Sequence, residues 1–238
     1  MNPLLENVIK AHGGLKQWDS FRKFEAKISI GGAAWQMVGA PDLLRDIQFE
    51  ANVHDQDGIR ISNIGGHGET SVFSKNKVTL LDSRGNILEE RPEPRSSFLP
   101  NRPWDHHNVA YFASYATWNY LSGPFLFTLP GFVTEEVGSR RENGETWRGL
   151  KVTYPADIAA HTKEQVLYYG EDGLLRRQDY SVDVMGGAQG ANYASDYKSI
   201  HGIFVPMKRR IYGRDPSNNK VPEPVLISID VNSFKFIG

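Results

Sequence analysis

The chain has 238 residues, 39% of them hydrophobic and 23% charged, with a formal net charge of −1. That balance fits an ordered globular chain and excludes a disordered one, and the lack of a basic stripe excludes nucleic acid as an expected partner. With no cysteine, disulfides, thiolate nucleophiles, thiolate zinc sites and lipid attachment through Cys are excluded as well.

Asn2-Pro3 reads as a helix start, a capping side chain followed by proline in the first turn. Leu4, Leu5, Val8 and Ile9 follow at helical spacing, with His12 on the same face, and Gly13-Gly14 ends the helix. The opening residues lack a basic region followed by an apolar run. No stretch approaches ~18 apolar residues. The expectation is a cytoplasmic protein without a membrane span, or a periplasmic one if a leader has been trimmed away.

From Lys23 the period changes to two. Phe24, Ala26, Ile28 and Ile30 alternate with Lys23, Glu25, Lys27 and Ser29, the pattern of a strand with one buried face. Leu43, Ile47 and Phe49 share a face with Arg45, and Ile59 and Ile61 mark another strand. Residues 78–81 and 87–90 flank a turn-rich loop, and residues 91–103, with four prolines, read as loop. After residue 132 the hairpin rhythm resumes. Strand pairs at 132–137 and 147–154, 166–169 and 174–180, and 191–198 and 203–212 each surround a turn, and a last strand covers 225–231. No repeat and no linker between two cores is visible, so a single domain over 1–238 is expected.

One segment interrupts the strands. On a helix over 104–120, Trp104, His107, Tyr111, Tyr115 and Trp118 fall along one line, and Val109, Ala113, Ala116 and Tyr120 lie opposite. A helix apolar nearly all round is a buried one. Its aromatic side either lines a ligand space or is simply core. Asp105 is a candidate N-cap, with Asn101 as the alternative. His106 and His107 then sit in the first turn, where the helix dipole disfavours their charged forms. The next loop, 121–132, carries Phe125, Leu126, Phe127 and Leu129 between Gly123-Pro124 and Pro130-Gly131, an apolar lid or a buried connection.

Three arginines share strand faces with apolar residues: Arg45, Arg176 beside Leu174 and Tyr180, and Arg209 beside Ile203, Val205, Met207 and Ile211. A buried guanidinium is costly unless paired, so these residues hold the insert, bind an anionic group or reach out to water at a strand end. No phosphate loop, dinucleotide fingerprint or nucleophile elbow is present. His54-Asp-Gln-Asp57 lacks metal-site spacing. No metal and no cofactor are expected.

The chain resembles the LolA/LolB-like lipoprotein-carrier superfamily. The resemblance rests on the first helix with His12-Gly-Gly14, on the aromatic insert, on the run Tyr168 to Tyr180, and on Tyr193, Asp196-Tyr197 and Gly202-Ile-Phe-Val-Pro206. It implies a mainly β fold with a helical insert (α+β), an unclosed antiparallel half-barrel wrapped over an N-terminal helix and a central aromatic helix. It further implies that apolar ligands lie on the concave face and that a strand arginine, with Arg45 as its counterpart, holds the lid helices. No signal sequence or lipidated Cys accompanies the pattern, so the same cavity turned to another use is expected.

Three functional readings follow. In the first, the concave face holds an apolar or aromatic small molecule or an acyl chain. Trp104, Tyr111, Tyr115, Trp118 and Phe125 line it, and Arg45, Arg176 or Arg209 anchors a polar end. In the second, a cofactor-free enzyme uses the same cavity, with His107 as acid or base and Tyr111 or Tyr115 orienting the substrate. A protein partner packed on the concave face is a third possibility.

Overall fold

The computed structural model describes residues 2–238. Asn2 caps α1 (Pro3–Ala11) by accepting from the Leu4 amide at 2.8 Å, and Leu4, Leu5, Val8 and Ile9 form the buried stripe. α2 (Leu15–Trp18) follows, and its Trp18 stacks on Phe125 with ring centroids 4.5 Å apart.

β1 (Lys23–Gly31) buries Phe24, Ala26, Ile28 and Ile30, as its alternation requires. A short helix that the apolar pattern did not announce, α3 (Ala33–Met37), leads through a turn into β2 (Ile47–Asn52). The meander continues through β3 (Ile59–Ile64), β4 (Glu69–Ser74), β5 (Lys77–Leu81) and β6 (Ile87–Pro92). The central helix is α4 (His106–Ser122). A second meander runs through β7 (Val133–Glu142), β8 (Glu145–Thr153), β9 (Glu164–Tyr169), β10 (Leu175–Val182), β11 (Ala188–Ile200) and β12 (Ile203–Arg214). β13 (Lys220–Val221) adds to β12, and β14 (Ile227–Ile237) ends the chain.

All pairings are antiparallel, in the order β6-β5-β4-β3-β2-β1-β14-β12-β11-β10-β9-β8-β7. β14 joins the two meanders by lying between β1 and β12. The sheet does not close, so β6 and β7 are its free edges. These two edges are consecutive in sequence. The chain between them must cross from one side of the opening to the other, and it crosses through the concave side. That connection places α4 inside the half-barrel.

Asp105 caps α4: its carboxylate accepts from the Asn108 amide at 3.0 Å, and the Asn108 side chain accepts from the Asp105 amide, which closes a capping box. Arg91 holds the same carboxylate at 2.7 Å. From His107 to Ser122 every residue of the helix is buried. α1 enters the same core through a close approach. Gly13 has φ +118, and a Cβ there would lie 2.2 Å from the Gly202 carbonyl oxygen, so only glycine fits. The Phe204 amide donates to the His12 carbonyl at 3.0 Å beside this contact, tying the first helix to β12.

Candidate functional site

The concave space is full. Tyr111 packs on Phe73 of β4, Phe112 on Trp35, and Trp118 donates its indole N–H to the Asn52 carbonyl at 2.8 Å. Phe125, Leu126 and Phe127 of the following loop are buried as well, and none forms an outer lid. A hollow roofed by the aromatic helix face is the expectation that the structure corrects. With the sheet curling round it, α4 has packing partners on every side, and its large rings occupy the space they were expected to line. Small internal cavities remain, and in two of them the centre of a small guest has about 10 Å³ in which to sit.

Inside this core runs a chain of polar groups. His161, in the loop between β8 and β9, meets the Tyr115 hydroxyl through Nδ1 at 3.0 Å and the Tyr120 hydroxyl through Nε2 at 2.7 Å. Tyr120 is also hydrogen-bonded with Tyr180 at 2.7 Å. Burial pulls the imidazole pKa down to about 3, so the ring is neutral. One phenol therefore donates to it and the other accepts from it. Burial raises the pKa of all three tyrosines, most strongly at Tyr115 and Tyr180, which keeps them protonated donors.

Arg209 faces inward among Ile203, Val205, Met207 and Ile211, all buried. Its Nη2 donates to the Tyr120 carbonyl at 2.7 Å, and its guanidinium lies 4.8 Å from the centre of the Tyr120 ring. The strand arginine that holds the helix is thus Arg209 and not Arg45. Arg45 lies in the turn before β2, where Asp42 and Asp46 adopt left-handed φ of 61 and 52 and break the extended period that residues 43–49 implied. Leu44 is buried in place of Leu43, and Arg45 is exposed and pairs with Asp42 at 2.7 Å. Arg176 is also displaced from its expected inward position. A bulge between Leu175 and Arg177 turns it toward Glu145 and Asp172. The buried neighbour is Arg177, on the pleat opposite Gln178 and Tyr180, where Asp179, Glu142 and Asn218 satisfy it.

His107 and Tyr115 share no open space. His107 lies 3.8 Å from Glu89 of β6, and burial together with the nearby Arg91 lowers its pKa. Tyr115 sits eight residues on, ~12 Å along the helix axis, fully buried against His161.

An open space lies at the N-terminal end of α4. The residues before the helix, the end of α3 and the turn between β10 and β11 enclose a cleft of about 860 Å³. Val38, Phe98, Trp104 and Met185 form its apolar surface, and Met37 and Leu99 stand exposed at its rim. Trp104 is anchored by its amide, which donates to Val38, and by edge contacts with Phe98 and Trp35. Arg95 ties the walls together, donating to the Ala160 carbonyl at 2.9 Å and to Asp183 at 3.0 Å. Arg102 also lines the cleft, and no ion pair engages it among the described residues. Of the ligand-binding residues expected from the sequence, Trp104 alone belongs to this cleft. Tyr111, Tyr115, Trp118 and Phe125 are core, and Arg209 borders the internal cavities. Sequence patterning pointed neither to His161 nor to the cleft. Their signals were apolar residues in connecting segments: Ile158-Ala-Ala ahead of His161, and Met37, Leu99 and Val184-Met185.

This arrangement is a LolA-like half-barrel, and solved structures share it. A LolA superfamily protein from Nitrosomonas europaea matches with TM-score 0.54 at 11% identity, over 94% of this chain and 92% of that one. A domain from Vibrio parahaemolyticus named for outer membrane lipoprotein sorting gives 0.55 at 10% identity, over 98% and 90%. A DUF1329 family protein from Desulfovibrio piger gives 0.53 at 12% identity, over 98% and 91%. No protein-family model and no curated protein matches the sequence.

Proposed function

We propose that this protein binds an apolar molecule with a long hydrocarbon part and a negative end, seated in the cleft before α4. The observation that carries the reading is the cleft itself. Its volume of about 860 Å³ falls in the range of small-molecule sites, and its surface joins a half-buried aromatic floor to an exposed apolar rim. Arg102 and Arg95 outnumber Asp183 around it, which favours a negative end group. The concave interior becomes available only if α4 moves, because the helix fills it. The likeness to the lipoprotein-sorting domain of Vibrio parahaemolyticus supports a hydrophobic cargo by fold alone.

Quenching by a dibrominated stearate tests the proposal. Bound in the cleft, its bromines lie beside Trp104, and tryptophan emission falls saturably. Trp104→Phe removes most of the quenching, and Leu99→Asp weakens binding about tenfold, a loss of ~1.4 kcal/mol. Saturable binding with unchanged quenching in Trp104→Phe places the ligand elsewhere. No binding at all ends the reading.

A further inference from the structure

Arg209 is the one permanently charged side chain buried in the concave core among the described residues. It is 4% exposed, and the ionisable groups near it are the tyrosines Tyr197, Tyr120, Tyr180 and Tyr169 and the neutral His12. A buried guanidinium without a carboxylate costs several kcal/mol unless another group compensates it. One hydrogen bond to the Tyr120 carbonyl and the face of the Tyr120 ring supply part of that compensation. Nε and Nη1, which carry three of the five N–H groups of a guanidinium, have no acceptor in the protein.

Arg209 also borders both internal cavities. One is walled mainly by aliphatic groups. The other is the more polar of the two, its wall including His12, Asn119, Tyr120, Gln178 and Tyr197 beside Arg209 among apolar groups. These neighbours each donate a hydrogen bond within the protein. His12 Nδ1 donates to Val8, Asn119 Nδ2 to Ala159, Gln178 Nε2 to Gln165, and the Tyr197 hydroxyl to Leu175. Among the residues lining the cavity, Arg209 alone carries both a permanent charge and nitrogens with no acceptor, and no carboxylate lines the space.

We propose that Arg209 forms an internal site for a halide-sized monovalent anion, held by Nε and Nη1 in the polar cavity between α1, β12 and the C-terminal end of α4. A neutral guest leaves the cationic charge in place, whereas an anion cancels it at contact distance. The centre of a small guest has only about 10 Å³ in which to sit, which restricts the anion to a monatomic one. Sulfate, phosphate and a carboxylate on a chain are all too large while α4 stays in place. The site is independent of the cleft and of whatever binds there.

Bromide diffraction is the direct test. Crystals of the unaltered protein grown or soaked in bromide carry an internal anomalous peak beside Arg209 if the site exists. Bromide visible on the surface with none at Arg209 overturns the proposal, as does water alone refining in that cavity. Thermal unfolding supplies a second readout. At equal ionic strength the midpoint rises in chloride or bromide relative to gluconate. Arg209→Met abolishes this difference and Arg209→Lys retains part of it. The same halide difference in Arg209→Met places the effect elsewhere and overturns the assignment. Should Arg209→Met fail to fold, the bromide peak in the unaltered protein still decides.

Discussion

Arg209 on β12 holds Tyr120 on α4 twice, through the backbone carbonyl at 2.7 Å and through the ring face at 4.8 Å. The two residues lie 89 positions apart, so the contact ties the C-terminal part of the inserted helix to the second meander. Tyr120 then passes the connection to His161 and Tyr180 through its hydroxyl.

Breaking this hold loosens the helix more than the fold. Arg209→Met replaces a buried cation with an apolar chain of similar length, and the change in global stability stays within about 2 kcal/mol. Amide hydrogen exchange in residues 116–122 accelerates at least tenfold. Equal exchange in both proteins removes Arg209 as the holding residue.

Acid destabilises this protein through two buried histidines. Burial lowers the folded-state pKa of His161 to about 3 and that of His12 to about 4, from an ordinary 6.5. The folded state therefore binds fewer protons than the unfolded one. The stabilising contribution is complete above pH 6.5 and is lost as pH falls toward the folded values. Between pH 6.5 and 5 each histidine removes about 2 kcal/mol. Urea unfolding at the two pH values measures the loss, and His161→Gln reduces the slope while lowering stability at neutral pH. A stability that is flat across this interval contradicts buried neutral imidazoles.

Gly13 and Gly14 separate on substitution despite their adjacency. A Cβ at Gly13 collides with the Gly202 carbonyl, whereas one at Gly14 meets nothing within 4 Å. Gly13→Ala costs about 3 kcal/mol and Gly14→Ala about 1 kcal/mol, the latter from its positive φ alone. Chemical denaturation of the two variants compares them, and similar losses would falsify the close approach of α1 to the β11–β12 turn.

The helix cap is a local and smaller contribution. Asp105→Ala removes the acceptor for the Asn108 amide and the partner of Arg91, and costs about 1 kcal/mol. Asp105→Asn keeps the cap, loses the charge and recovers most of that stability. Thermal unfolding of the pair separates the two contributions.

Much of the fold was readable because its causes are local. The alternation of Phe24, Ala26, Ile28 and Ile30, the turn residues between successive strands and the capping Asp105 each act within a few residues. The all-round apolar character of 107–122 likewise announced burial from sequence. At Arg45 local alternation misled, because two left-handed aspartates broke the strand before it began. The sheet order was beyond local reading: β14 pairs with β1 across some two hundred positions, and that pairing leaves β6 and β7 as the edges that α4 must bridge. The Tyr115–His161–Tyr120–Tyr180 chain, the isolation of Arg209 and the cleft beside Trp104 all join segments from different parts of the chain. The sequence by itself determined that the central helix and the apolar faces of the regular strands must be buried. The tertiary structure decided whether they would enclose a space or fill one, since that depends on how closely the curved sheet approaches the helix it surrounds.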